Sequence, residues 1–451
     1  MLQTEFTYKR ILLITLPLMI GTFVQAIVTI TDAIFVSNLG EIAIGAVGNG
    51  SLVYASVFML ARGLADGAQI DIARKNGEGN FTKIGQILWH TQFYQFFMAV
   101  AIIATVIPLS PWIIESFSKS AALGEAMNEF VSIRIFGLLF AAQYLVLVAF
   151  FVGLGRTRVI LFSTVIVAGI NVFLDYGLIY GHFGLPKLGL GGAPLASGLS
   201  EFAGFLFLWI YLLQSQAFEQ YAYRLKQVTF KLKSYLYLFR LSIPLMLQGI
   251  ASLSTWLVFF IMIEHMGTSN LETAHNIRYM YFLAFVPIFG FAASTKTVIS
   301  TMVGQGHQNE IGAIQFRIIV LSVMFTLFFF HGALLYPEQL IALVDQNPVI
   351  SPDVLANSVK ILKFVSGSVL IFSVVVVWFN TISGLGKTTI SFIIEMAAIA
   401  VYLLACYFFI EKWQWSITEV WWVEYVYFIS LGIFSLSYLL YYRQKYLKND
   451  Q

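Results

Sequence analysis

Along this chain apolar positions gather into runs of about twenty residues, the length needed to cross the roughly 30 Å hydrocarbon core of a bilayer. The runs predict membrane spans over 13–36, 46–72, 85–107, 126–152, 159–181, 193–213, 241–263, 273–300, 318–336, 358–382, 388–410 and 420–441. The first follows Lys9 and Arg10, is about two dozen residues long and has no small-residue cleavage site. It therefore reads as a retained span and not as a signal peptide.

The basic residues fall unevenly between these runs. Taking alternate connections, one set holds seventeen: Lys9, Arg10, Arg74, Lys75, Lys83, Arg156, Arg158, Arg224, Lys226, Lys231, Lys233, Arg240, Arg317, Lys387, Arg443, Lys445 and Lys448. The other set holds three: Lys119, Lys187 and Lys412. Basic loops stay in the cytoplasm, so both termini are expected there and the number of spans must be even. The remaining six, Arg62, Arg134, Arg278, Lys296, Lys360 and Lys363, lie in or at the ends of spans.

Composition agrees with this pattern. The chain has 451 residues, 59% hydrophobic and only 11% charged, where soluble domains average about 25% charged. Net charge is +3 and the basic residues are scattered, so no face is suited to nucleic acid. Cys406 is the only cysteine, which excludes an internal disulfide and a multi-cysteine metal site.

The chain also repeats itself. When the segment from Leu16 is set against that from Ile243, Pro17 meets Pro244 and Gly40 meets Gly267. The same offset brings Gly77, Gly79 and Gly85 onto Gly304, Gly306 and Gly312, and GLGRT at Gly153 matches GLGKT at Gly384 four residues further on. Each half holds six spans, so both have the same orientation, as in a parallel repeat about an axis along the membrane normal. The expected fold is an all-α membrane protein with twelve transmembrane helices in two pseudo-twofold-related six-helix lobes around a central cleft. The lobes are 1–223 and 224–451, with the basic stretch from Arg224 to Arg240 as linker. GLGKTT is not a phosphate loop, because Thr381 stands where the first glycine of that motif is required. Both GLG segments read as tight turns, and an ion gradient is the expected energy source.

The segments PLMIGTFVQAIVTITDAIFVSNLG, GEGNFTKIG, GLGRT, NVFLDYGLIYG and GLGGAPLASGLSE together resemble the multidrug and toxin extrusion (MATE) family, over essentially the whole chain. The acids of the first half resemble those of its DinF-like branch. That resemblance implies a proton or sodium site formed by Asp32 in the first span, Asn171 and Asp175 in the fifth, and Ser197 in the sixth, with Gln25 also matching. NorM-like and eukaryotic branches use a carboxylate in the seventh span; here 244–263 has none, and the repeat counterpart of Asp32 is Phe259.

Depth can be read without the family. Asp32 lies 15 residues past Pro17, roughly 22 Å along a helix. Asn171 is one turn from Asp175 on one helix face. With Ser197 they all fall in the outer half of the first lobe. A carboxylate in hydrocarbon pairs, binds an ion or faces an aqueous cavity. Two acids with an amide and a hydroxyl make an oxygen cage for sodium or a site that takes up a proton; the competing reading is a pair of structural acids neutralised by hydroxyls and amides.

Pro17 reads either as a hinge or as a helix-start proline; the family resemblance favours the hinge. Asp66 and Lys296 each interrupt the repeat, facing Ala293 and Gln69 in the alignment. They are a candidate inner-gate pair, against the alternative that Lys296 snorkels and Asp66 pairs with Arg62 one turn away.

The function expected is a proton- or sodium-coupled antiporter in the inner membrane of a bacterium or archaeon, exporting amphipathic, often cationic compounds as a monomer, without a cofactor. The 42 Phe, 22 Tyr and 9 Trp suit such ligands. The alternative is a lipid-linked oligosaccharide flippase of the same superfamily. An enzyme is not expected, because His90, His182, His265, His275, His307 and His331 are dispersed.

Overall fold

Helices satisfy all their backbone hydrogen bonds within one segment, so an apolar chain in lipid is driven to them. The computed structural model describes residues 6–117, 120–221, 223, 224, 232–344 and 351–446. Among the described residues there is no strand, and fifteen α-helices carry the chain. In the first half these are α1 (Tyr8–Ser37), α2 (Glu41–Gly77), α3 (Phe81–Phe117), α4 (Ala121–Gly153), α5 (Arg158–Tyr180) and α6 (Gly192–Gln214). In the second they are α7 (Leu232–His265), α8 (Thr268–Gln305), α9 (Ile311–Phe330), α10 (Gly332–Leu335), α11 (Pro337–Val344), α12 (Pro352–Gly384), α13 (Thr388–Cys406), α14 (Ile417–Val420) and α15 (Trp422–Tyr446). Among the described residues twelve helical segments are long and apolar enough to cross a membrane, the number the hydropathy pattern predicts.

Several helices outrun their predicted bounds. Hydropathy registers only the lipid-facing length, whereas α2 continues into a polar last turn with Arg74 and Lys75, cations that suit the negative end of a helix. The ninth run differs most. The expected span 318–336 is broken after Phe330 into α9, α10 and α11, and Pro337 opens α11 at a position where it cannot continue the preceding helix.

The repeated glycines have a common purpose. Gly40 and Gly267, Gly79 and Gly306, and Gly155 and Gly386 all have φ between 68° and 114°, a region open to glycine but strained for other residues. Each pair ends or begins a helix at the same place in both halves, and the two GLG segments are the tight turns after α4 and α12.

By compactness the chain divides into Ile20–Ile250 and, separately, Met1–Met19 with Ala251–Gln451. In the first unit α4 is central, packed on α2, α3 and α6, with α5 on α6. In the second, α12 has the corresponding place, against α8, α9 and α15, and α13 packs on α15. The boundaries fall inside α1 and α7. Gly63 of α2 lies so close to α7 that a Cβ there would stand 2.5 Å from the Met246 backbone. In the other unit Gly290 of α8 faces Met19, there with the methionine side chain nearest, and Thr15 donates a 2.9 Å hydrogen bond to Ser294. Gly63 with Met246 and Gly290 with Met19 are equivalent under the offset that aligns Pro17 with Pro244. Pro17 is nine residues past the start of α1, so it is an interior proline and not a helix-start one.

Candidate functional site

The polar residues singled out in the first half belong to the Ile20–Ile250 unit. Asp32 stands near the end of α1, and Asn171 and Asp175 are one turn apart on α5. Asp175 and Asn171 are buried, at 0% and 2% exposure, and Asp32 is half-buried. The Asp32 and Asp175 carboxyls lie within hydrogen-bonding reach of each other. As carboxylates both only accept, so neither satisfies the other until a proton makes one of them a donor. Accordingly Asp32 Oδ1, Asn171 Oδ1 and both Asp175 oxygens are buried without a protein hydrogen-bond partner.

Four unsatisfied oxygens on two adjoining helices are costly unless something occupies them. They are hard acceptors, the donor type that sodium prefers, and a proton shared by the carboxyls would serve equally. Ser197 is half-buried near the start of α6. Gln25 is exposed, two turns before Asp32 on the same side of α1. Among the described residues no hydrogen bond joins either side chain to the carboxyl pair.

The other two sequence candidates fall in different units. Asp66 is half-buried in the Ile20–Ile250 unit. Lys296 is buried on α8, in the other.

Sequence reasoning missed a second polar cluster in the same unit as the carboxyl pair. Arg134 of α4 makes a two-pronged ion pair with Glu201 of α6, at 2.9 Å from Nη1 and 2.7 Å from Nη2. Its guanidinium carbon also lies 3.8 Å from the centre of the Tyr54 ring on α2. The helices approach closely at this point, because Gly137 and Gly198 face each other. A signal was available: an arginine and a glutamate, each inside an apolar run, are expected to seek one another in lipid. Proximity between two distant spans is what the sequence did not supply.

Among the described residues the second half has no comparable open pair on its first helix. Phe259, the counterpart of Asp32, is fully buried and packs edge-on against Trp421. Two acids are nevertheless buried there. Glu395 of α13 receives hydrogen bonds from Ser252 at 2.7 Å and Tyr427 at 2.6 Å, and Glu424 receives one from Tyr402 at 3.4 Å. Glu395 is thus the satisfied structural acid.

Among the described residues no group of three or more His, Cys, Asp and Glu side chains could hold a metal ion.

Comparison with known proteins supplies the context of this geometry. The MatE family model matches residues 17–177 and 244–408, one match in each half. The chain is 26% identical over 344 residues to a probable multidrug resistance protein NorM from Thermotoga maritima, covering 76% of this chain and 73% of that one. It is 23% identical over 393 residues to a probable multidrug resistance protein NorM from Rhizobium meliloti, covering 87% and 84%. A solved structure of a MOP superfamily transporter from Pyrococcus furiosus superposes with a TM-score of 0.87 at 21% identity, over 97% of this chain and 95% of that one. An outward-facing multidrug resistance MATE family transporter gives the same TM-score at 20% identity. The twelve-span, two-lobe fold is therefore that of these transporters, and the chain belongs to the MatE family of multidrug efflux transporters.

Proposed function

We propose that this transporter is an antiporter that exchanges an inward-moving proton or sodium ion for amphipathic, often cationic, compounds moving out by alternating access. The observation that carries this reading is the pair of facing carboxyls, Asp32 and Asp175, which together with Asn171 present four buried oxygens that the protein leaves unsatisfied. Such a site binds a cation readily. Once it is filled, the negative charge inside the lobe is compensated, which favours packing that excludes water. An emptied site carries charge again and favours an opening that admits water or a cationic substrate. One cation and one cationic compound thereby compete for the same electrostatic state of the lobe.

In this reading Asn171 contributes its carbonyl oxygen one turn from Asp175, and Ser197 and Gln25 line the approach. Pro17, an interior proline of α1 that carries no backbone N–H, supplies the bend through which α1 responds. The protein lies in the inner membrane with both termini in the cytoplasm, acts as a monomer and needs no cofactor. The multidrug resistance names of the relatives support small-molecule export over oligosaccharide flipping.

The test is efflux from reconstituted vesicles, with pH and sodium gradients imposed separately and a panel of cationic dyes as cargo. Dye movement should follow one of the two gradients and vanish when it is collapsed. Efflux at the same rate with no gradient of either ion would overturn the reading.

A further inference from the structure

Arg134 lies within electrostatic reach of Asp32 in the candidate ion site, and its surroundings fix where its charge can act. The guanidinium is gripped on both nitrogens by Glu201 and covered on its face by the Tyr54 ring. It is also seated against a helix crossing so close that a Cβ on Gly137 would stand 2.7 Å from Nη1 and 3.2 Å from the Gly198 Cα. An arginine held by a fork, a ring face and a glycine seat cannot swing away.

The charge nevertheless reaches beyond its own partner. Arg134 is acted on electrostatically by Glu201, Tyr54 and Asp32. Asp32 in turn is reached by Arg134 as well as by Asp175. Arg134 is thus the member of the ion pair that acts on Asp32.

We propose that Arg134 is a positioning residue for ion exchange: a fixed positive charge, oriented by Glu201 and Tyr54, that loosens the hold of Asp32 and Asp175 on the driving cation. This rests on the antiport reading above. An antiporter has to release its driving ion in every cycle, and two facing carboxylates with unsatisfied oxygens hold a cation strongly. A neighbouring cation of the same sign as the ion weakens that hold at every stage without competing for the oxygens. The orienting role of Glu201 gives the proposal a signature. Removing Arg134 leaves the site more negative, whereas removing the charge of Glu201 leaves Arg134 uncompensated and the site more positive.

The experiment compares wild type, Arg134→Gln with Glu201→Gln, and Glu201→Gln alone in vesicles. Two readouts are taken: the half-saturating concentration of the driving ion, proton or sodium, and the melting temperature of the purified protein. The double variant should bind the ion roughly tenfold more tightly, with slower maximal efflux. Glu201→Gln alone should shift half-saturation the opposite way, to higher ion concentration. A purely structural ion pair predicts lowered melting temperatures with half-saturation unchanged, or moved in one direction by both changes, and either result overturns the proposal. Should the double variant fail to fold, Glu201→Gln decides alone, because tighter or unchanged ion binding there overturns it. Efflux that ignores both gradients in wild type would sink the antiport reading and this inference with it. Normal ion dependence in wild type with unshifted variants would sink this inference alone.

Discussion

Asp32 and Asp175 contribute different things to one site. Asp32 sits on α1 and is half-buried, while Asp175 is fully buried on α5. Replacing Asp32 by Asn keeps shape and polarity but removes a charge, so Asp32→Asn should abolish gradient-driven efflux while the protein still inserts and elutes as a folded species. Wild-type efflux rates from that variant would remove Asp32 from the mechanism. Asp175→Asn and Asn171→Ala act from the facing helix and should weaken ion dependence by about tenfold or more, the effect of losing about 1.4 kcal/mol of ion binding. Dye affinity, measured by equilibrium binding in detergent, should change less. An equal loss of dye affinity with an unchanged ion response would assign both residues to the cargo pocket instead.

Pairs of helices are held by a few close approaches and buried hydrogen bonds. Glu395 joins α13 to Ser252 of α7 and Tyr427 of α15. Tyr427→Phe removes one donor and leaves a buried acceptor short, which costs about 1–3 kcal/mol. It should lower the melting temperature with little change in ion half-saturation. The repeat supplies a second, internally controlled case. A Cβ at Gly63 would meet the backbone of Met246 at 2.5 Å, whereas at Gly290 the nearest atom is the Met19 side-chain Cγ at 2.4 Å, with backbone no closer than 3.3 Å. A methionine side chain can move aside and a helix backbone cannot. Gly63→Ala should therefore destabilise the protein by about 1–3 kcal/mol, and Gly290→Ala by clearly less. Thermal melts of the two variants check the order, and equal losses would contradict it.

For the whole molecule, orientation is the property most directly open to test. Cys406 is buried, so a membrane-impermeant maleimide should leave the native protein unlabelled. Cysteine placed at the exposed Gln444 should react only after the cells are lysed, and cysteine at the exposed Lys187, in the α5–α6 connection, should react in intact cells. The reverse pattern would invert the topology. The twelve spans, the six-plus-six repeat and the glycine turns were legible in the sequence, because each depends on local quantities: the length of an apolar run, a constant offset, a residue that tolerates positive φ. Asn171 and Asp175 could likewise be placed on one face from their spacing alone. That Asp32 meets Asp175 needed the family resemblance in addition, and that Arg134 meets Glu201 was not foreseen. Both are encounters between helices far apart along the chain. Nor could the pattern show that α1 divides after Met19 and α7 after Ile250, each unit taking in part of the other half's first helix. Hydropathy records how much a residue dislikes water, and it is the same for a helix whichever neighbour it packs against. The partner is chosen by the fit of glycine against methionine at Gly63 and Gly290, by hydroxyl against hydroxyl at Thr15 and Ser294, and by charge against charge at Arg134 and Glu201. Sequence alone thus settled the solvent, the number of crossings and the family, while the tertiary structure decided which buried charges face one another, because that depends on distances no local pattern encodes.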